Sequence, residues 1–287
     1  MTSTLFDTDN SKELIMRVVI AGGHGTIAQH LLRLLAARED NGVAMIRNPA
    51  QIVDITAEGA EAVVVDLEND SVEHVASVLQ GADAVVFAAG SGPGSSIERK
   101  DTVDRAGSVL LADAAERAGV RRFVQVSSFG AGEPIPDGTD EVFAAYLVAK
   151  TAAEDDLTAR TALDWTVLRP GGLTDDEPTG SVTLSTPPLP RGTVPRADVA
   201  AVLLALLDTP GTAGTVLMLT SGDTPIADAI TASVDDVSVQ VAATAEGVWP
   251  SLTDVTQRGR RSGLLSVARN GLDGVGRGGR QVQGRAP

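Results

Sequence analysis

Met16-Arg-Val-Val-Ile-Ala-Gly-Gly-His-Gly-Thr-Ile-Ala28 runs directly into Gln29-His-Leu-Leu-Arg-Leu-Leu-Ala-Ala-Arg38. Met16–Ala21 is a short apolar, β-branched run, the composition of a buried strand. The second stretch spaces its leucines as one face of a helix does. A glycine-rich turn joins them. Strand, glycine turn and helix together are the context that a dinucleotide fingerprint requires. Gly23-x-Gly25-x-x-Ala28 fits G-x-G-x-x-A, and Gly22 adds a second register, G-x-x-G-x-x-A. Glycine permits the tight turn and lets the backbone approach a pyrophosphate. The small Ala28 lets the helix pack close to the strand. The helix start offers unpaired N–H groups and the positive end of the dipole. Gly22, Gly23, His24, Gly25, Thr26 and Ile27 are therefore the candidate phosphate-binding residues. The plainer alternative is a tight turn that holds no ligand.

The alternation continues down the chain. Val43–Ile46, Glu61–Val65, Ala84–Gly90, Arg122–Ser127 and Asp164–Arg169 read as strands. Ser71–Leu79 and Glu98–Ala118 read as helices between them, the second closed by Gly119. Repeated β-α units with continuous apolar strands imply a doubly wound parallel sheet of the Rossmann type, covered on both faces. Ligands in such sheets lie beyond the carboxyl ends of the strands. Those ends carry Gly22–Gly25, Arg47, Asp66, Leu67, Ala88, Ala89, Gly90, Ser127, Ser128, Pro170, Gly171 and Gly172. No acid stands at the end of the second strand to accept from a ribose 2′-hydroxyl; Arg47 does, and a guanidinium suits a 2′-phosphate. This favours NADP over NAD. Asp66 is either a cofactor contact or a strand cap.

The only tyrosine, Tyr146, stands four residues before Lys150, one of three lysines. Glu141–Leu157 around them is alanine-rich and lacks proline and glycine, so it reads as helix. Four residues is about one turn, which puts both side chains on one face. A tyrosine and a lysine so placed can carry out proton transfer beside a nicotinamide. The bland alternative is a half-buried tyrosine with a solvated lysine.

Gly22-Gly-His-Gly-Thr-Ile-Ala28, Asp66-Leu67, Ala88-Ala-Gly90, Val126-Ser-Ser128, Tyr146-x-x-x-Lys150 and Leu168-Arg-Pro-Gly-Gly172 occur in an order that resembles the short-chain dehydrogenase/reductase superfamily. The closest likeness is to its atypical branch, the NmrA-like and NAD(P)-binding oxidoreductase proteins, over residues 16–230. The resemblance implies that Tyr146 is the general acid/base. It implies that Lys150 binds the nicotinamide ribose and favours the phenolate by its charge. Ser128, with Ser127 as the fallback, would hydrogen-bond the reacting carbonyl or alcohol. Leu168–Gly172 resembles the loop that lies against the nicotinamide. Three functions fit such a chain. The first is an NADPH-dependent oxidoreductase of a small carbonyl or quinone. The second is a nucleotide-sugar epimerase or dehydratase, against which the short C-terminal part argues. The third is a non-catalytic NADP(H)-binding regulator, which has no need of an intact Tyr-x-x-x-Lys.

About 215 residues are ample for one α/β domain. With Cys 0 there is no disulfide and no thiolate metal site, and three scattered histidines make no zinc constellation, so no metal is expected. No apolar run reaches transmembrane length, and residues 1–10 lack the pattern of a signal peptide, so a cytoplasmic protein without membrane partners is expected. The chain carries a net charge of −15, whereas residues 257–287 hold seven arginines against one aspartate. The acidic body argues against nucleic-acid binding. The tail is too glycine-rich and apolar-poor to order itself, so residues 1–15 and those from about 258 are expected to be disordered, with 231–287 either an extension or the product of a reading-frame change. Residues 171–230 are expected to form a small substrate lid, with Ser181–Leu184 and Thr215–Thr220 as strands and Val194–Leu207 as a helix. Phe129, Phe143 and Leu173 are candidate pocket lining. The expected partner is a small-molecule substrate, and the expected state a monomer or homodimer.

Overall fold

The computed structural model describes residues 15–92 and 94–245, with side chains to residue 235. The disorder expected of the two ends falls on residues 1–14 and 258–287, outside the described residues. Internal contacts divide the chain after Val239, and all that follows concerns the first unit.

The amino-terminal half alternates β1 (Arg17–Ala21), α1 (Thr26–Ala37), β2 (Asn41–Ile46), α2 (Ile52–Ala57), β3 (Glu61–Val64), α3 (Val72–Val78) and β4 (Ala84–Phe87). There follow α4 (Ile97–Arg99), a π-helical turn (Lys100–Arg105), α5 (Ala106–Ala118), β5 (Arg122–Val126), α6 (Glu141–Thr158) and β6 (Asp164–Pro170). The last part holds β7 (Gly172–Thr174), β8 (Ser181–Ser185), β9 (Thr193–Pro195), α7 (Arg196–Leu207), β10 (Thr215–Ser221), β11 (Thr224–Pro225) and α8 (Ile226–Ala245). The boundary expected at residue 230 falls inside α8. Among the described residues no helix is long and apolar enough to cross a membrane.

The main sheet has the order β11-β8-β10-β6-β5-β4-β1-β2-β3. The strands from β10 to β3 are parallel, and β8 and β11 pair antiparallel at one edge. The run β3-β2-β1-β4-β5-β6 is the Rossmann order, with its reversal between β1 and β4. Alternation within β1 shows how the core forms. Val18 and Ile20 pack with Leu31 and Leu35 of α1 and Val199 and Leu203 of α7, whereas Val19 and Ala21 pack with Val75 of α3 and Leu111 of α5. Both faces are buried, which is why the strand is apolar throughout rather than alternating.

Local chemistry sets the helix limits. Ser71 caps α3 by accepting from the His74 N–H at 3.2 Å, and Asp140 caps α6 by accepting from the Phe143 N–H at 3.0 Å. Gly119, at φ 77°, closes α5 in the left-handed conformation. The expected helix over Val194–Leu207 instead starts at Arg196. Proline pushes its predecessor into extended backbone, and Val194 pairs with Leu173 in a two-stranded parallel sheet. The expected strand over Ala84–Gly90 ends at Phe87, and the helix over Glu98–Ala118 contains the π turn.

A buried arginine ties β5 and β6 to the end of α7 and the turn that follows it. Arg122 of β5 donates to the carbonyls of Asp164 and Leu206 at 2.8 and 2.7 Å, and to the hydroxyls of Thr166 and Thr212 at 2.8 and 3.0 Å. Burial pulls its guanidinium down to about 10. Arg122→Met keeps the apolar stem and strands these acceptors. A loss of about 2–4 kcal/mol in urea unfolding is expected, since each buried unsatisfied group costs about 1–3 kcal/mol. A variant as stable as the wild type would contradict this.

Candidate functional site

The reversal of strand order opens a crevice at the carboxyl ends of β1 and β4. Gly22 leaves β1 at φ +79°, and a Cβ there would lie 2.6 Å from the Ala89 Cα, so only glycine lets the two strand ends meet. A Cβ on Gly23 would lie 2.3 Å from the Ala44 Cβ. Gly25 differs: its N–H bonds the Gly22 carbonyl at 2.9 Å, and a Cβ would meet that oxygen alone, at 3.2 Å. Gly25 is also the N-cap of α1 and supplies no side-chain cap, so the first N–H groups of the helix keep their donors for a ligand. Ala28 is fully buried against the sheet. These features fit a pyrophosphate.

Two cavities adjoin this turn and share Ala88, Ala89 and Gly90 as a wall. The first, of about 420 Å³, brings together Gly22, His24, Gly25, Arg47, Asp66 and Leu67. The second, of about 460 Å³, brings together Ile27, Ser127, Tyr146, Lys150 and Pro170. Gly23, Thr26, Ser128, Gly171 and Gly172 line neither. Gly171 and Gly172 instead bond the carboxyl-terminal segments, through Gly171 N–H to the Leu219 carbonyl at 2.8 Å and Gly172 N–H to the Gly192 carbonyl at 2.9 Å. The Ser128 hydroxyl donates to the Phe129 carbonyl at 3.2 Å. The Ser127 hydroxyl donates to buried Glu154, which also accepts from the Arg169 Nε at 3.1 Å. Phe143 and Leu173 line the second cavity as expected; Phe129 does not, because it is packed into the interior.

The first cavity is polar. His24 bonds Asp54 through Nε2 at 2.9 Å and Gln51 through Nδ1 at 3.0 Å. Glu68 accepts from Arg99 Nη2 at 2.7 Å, Thr102 Oγ1 at 2.6 Å and Arg47 Nη1 at 3.0 Å. The hydrogen bond from Arg99, followed by that from Thr102, holds its carboxyl below the ordinary glutamate range. Glu68 is thus fully engaged. Arg47 has no other polar partner among the described residues and stays half-exposed at the end of β2.

The second cavity is built around Tyr146. Its ring stacks on Phe143 with centroids 5.9 Å apart. The Lys150 and Lys100 ammonium groups stand 5.7 and 5.5 Å from its centroid. Lys150 is buried, donates to the Val126 carbonyl at 3.2 Å, and lies 3.5 Å from an Asp104 carboxylate oxygen. The other Asp104 oxygen accepts from the Ser91 N–H and hydroxyl at 3.1 and 2.8 Å, which fixes the loop after β4. Lys100 and Asp104 come from the π turn, a distortion often found at functional sites. Sequence reading missed both, together with Glu68 and Arg99. The four-residue spacing of Lys100 and Asp104 was the signal available for the first pair.

Comparison with known proteins agrees with this geometry. The model of the family described as NAD(P)H-binding matches residues 22–210. The chain is similar to the Bacillus subtilis (strain 168) protein called Uncharacterized sugar epimerase YhfK. The two are 38% identical over 216 residues, which cover 75% of this chain and 99% of that protein. Among solved structures, a putative NAD-dependent epimerase/dehydratase from Bacillus halodurans is 38% identical at a TM-score of 0.69, covering 76% of this chain and 99% of that one. ChuY, described as an anaerobillin reductase from Escherichia coli O157:H7, is 27% identical at a TM-score of 0.61, covering 72% and 98%.

Proposed function

Because the chain belongs to the NAD(P)H-binding family, we propose that it is an NADPH-dependent oxidoreductase that reduces a small carbonyl compound or quinone. One observation carries this reading: Tyr146 and Lys150 converge on a cavity that shares a wall with the glycine-turn cavity. In this reading Gly22, Gly25 and the start of α1 hold the pyrophosphate, Arg47 the 2′-phosphate, and Asp66 and Leu67 the rest of the adenosine end. Bound NADPH supplies a hydride equivalent to the carbonyl carbon. Tyr146 gives its hydroxyl proton to the carbonyl oxygen as the alcohol forms. Lys150 holds the ribose and keeps a positive charge beside the tyrosine. Ser128 lines neither cavity and the Ser127 hydroxyl gives its one proton to Glu154, so we assign the hydrogen bond to the carbonyl oxygen to Tyr146 alone. Consumption of NADPH with a panel of aldehydes, ketones and quinones tests the reading. Tight NADPH binding with none of them reduced would favour the regulator instead.

The cofactor choice rests on Arg47. NADPH is expected to bind about tenfold or more tightly than NADH, because a charge-assisted bond to phosphate contributes about 1.5–3 kcal/mol. Arg47→Glu should abolish or reverse that preference in a fluorescence titration. Equal affinities in the wild type would sink the assignment.

The names of the two 38% identical relatives favour a second reading, an epimerase that oxidises and then reduces its substrate. Tyr146 would then act first as base and afterwards as acid. An epimerase turns over sugar with no net change in NADP(H), so cofactor consumption in step with product separates the two.

A further inference from the structure

The two lysines beside Tyr146 differ in one respect. Lys150 is matched by Asp104 at 3.5 Å. Lys100 is only 7% exposed, yet it has no ion-pair partner among the described residues. Among the described residues its one hydrogen bond goes to the Gly92 carbonyl at 2.9 Å. An ammonium has three donors, so two have no partner among those residues. A buried cation without a counter-charge is costly unless something pairs with it. The surroundings do not offer that pair. Asp104 pairs with Lys150 and holds Ser91, Asp140 caps α6, and among the described residues neither makes an ion pair with Lys100. Apart from Ser127, Tyr146 and Lys150, the remaining side chains of the cavity are apolar, Ile27, Val142, Phe143, Pro170 and Leu173 among them.

We propose that Lys100 is a specificity-determining residue that binds a carboxylate on the substrate, and that the second cavity takes a compound with an apolar body and one such anionic group. This rests on the reading of that cavity as the substrate side of the cleft. The alternative source of the anion is a phosphate of the cofactor itself, and the experiment separates the two.

Benzoate and its neutral counterpart benzamide are titrated calorimetrically into the full-length protein saturated with NADP⁺. The wild type should bind benzoate about tenfold or more tightly than benzamide, the worth of one charge-assisted hydrogen bond. Lys100→Met should remove the preference, Lys100→Arg should keep it, and Lys100→Met should hold NADP⁺ within about twofold of the wild type. Equal binding of the two probes by the wild type, or binding of neither, would overturn the proposal. So would a preference that survives in Lys100→Met, or a loss of NADP⁺ affinity there with the preference intact, which would place Lys100 on the cofactor. Should Lys100→Met not fold, the wild-type preference and the Lys100→Arg result still decide. No turnover is read, so a failure of the reductase reading leaves this test standing, and an absent benzoate preference leaves that reading standing.

Discussion

Tyr146→Phe is expected to lower NADPH-dependent turnover by about 10²–10⁴-fold, the usual worth of a positioned acid/base, and to leave the fold and NADPH affinity intact. The change removes a hydroxyl and nothing else. The ring keeps its stack on Phe143 and its place between Lys100 and Lys150. Tyr146 is only partly buried, so no core cavity is opened. A merely structural tyrosine would show the opposite pattern, with stability falling and turnover per folded molecule unchanged. Steady-state kinetics beside thermal unfolding distinguish the two. Undiminished turnover on any substrate that the wild type reduces would remove Tyr146 from the mechanism.

Gly22→Ala should lower stability by about 2–5 kcal/mol and weaken NADPH binding at least tenfold. Two costs combine. An L-residue in the left-handed region loses about 1–2 kcal/mol. The new methyl must also displace the Ala89 backbone from 2.6 Å, and overpacking costs about 1–3 kcal/mol. That backbone is the wall shared by both cavities, so the shift spreads the cleft. Gly25→Ala makes the contrasting case. Its backbone is not left-handed and its methyl meets only the Gly22 carbonyl oxygen, at 3.2 Å, so the melting temperature should fall far less than in Gly22→Ala while NADPH affinity falls, because the methyl occupies the approach of the pyrophosphate. If the two variants behave alike in both measurements, the division of roles between the glycines is wrong.

The Rossmann order was legible because its signals are local. Val18 to Ala21 are buried on both faces, and a continuous apolar run states that directly. The glycine turn states the crevice by position, and Tyr146 and Lys150 state a shared face by spacing. What stayed hidden depends on contacts distant in sequence. Glu68 and Arg99 are 31 residues apart, and only the folded chain brings them together at the mouth of the first cavity. Lys100 and Asp104 were hidden differently. An unbroken helix was expected there, and the π turn that points both inward has no signature in residue type. The motif around Pro170 was half legible. Pro170 lines the second cavity, but Gly171 and Gly172 are glycines because a lid strand crosses them closely: a Cβ on Gly171 would stand 2.3 Å from the Gly192 carbonyl oxygen. A close approach to protein and a close approach to a cofactor ask for the same residue.

Isotope labelling follows the hydride itself. The protein is incubated with NADPH carrying deuterium at the transferring C4 position and with a panel of aldehydes, ketones and quinones, and the products are read by mass spectrometry. At least one aldehyde or ketone should gain a single carbon-bound deuterium on reduction, from one face of the nicotinamide only, with one NADP⁺ formed per product; a quinone substrate is read instead as one NADP⁺ and one hydroquinone formed together, because its oxygen-bound deuterium exchanges with water. NADPH bound in the cleft with no deuterium transferred to any aldehyde or ketone, and no quinone reduced, would contradict the reductase reading.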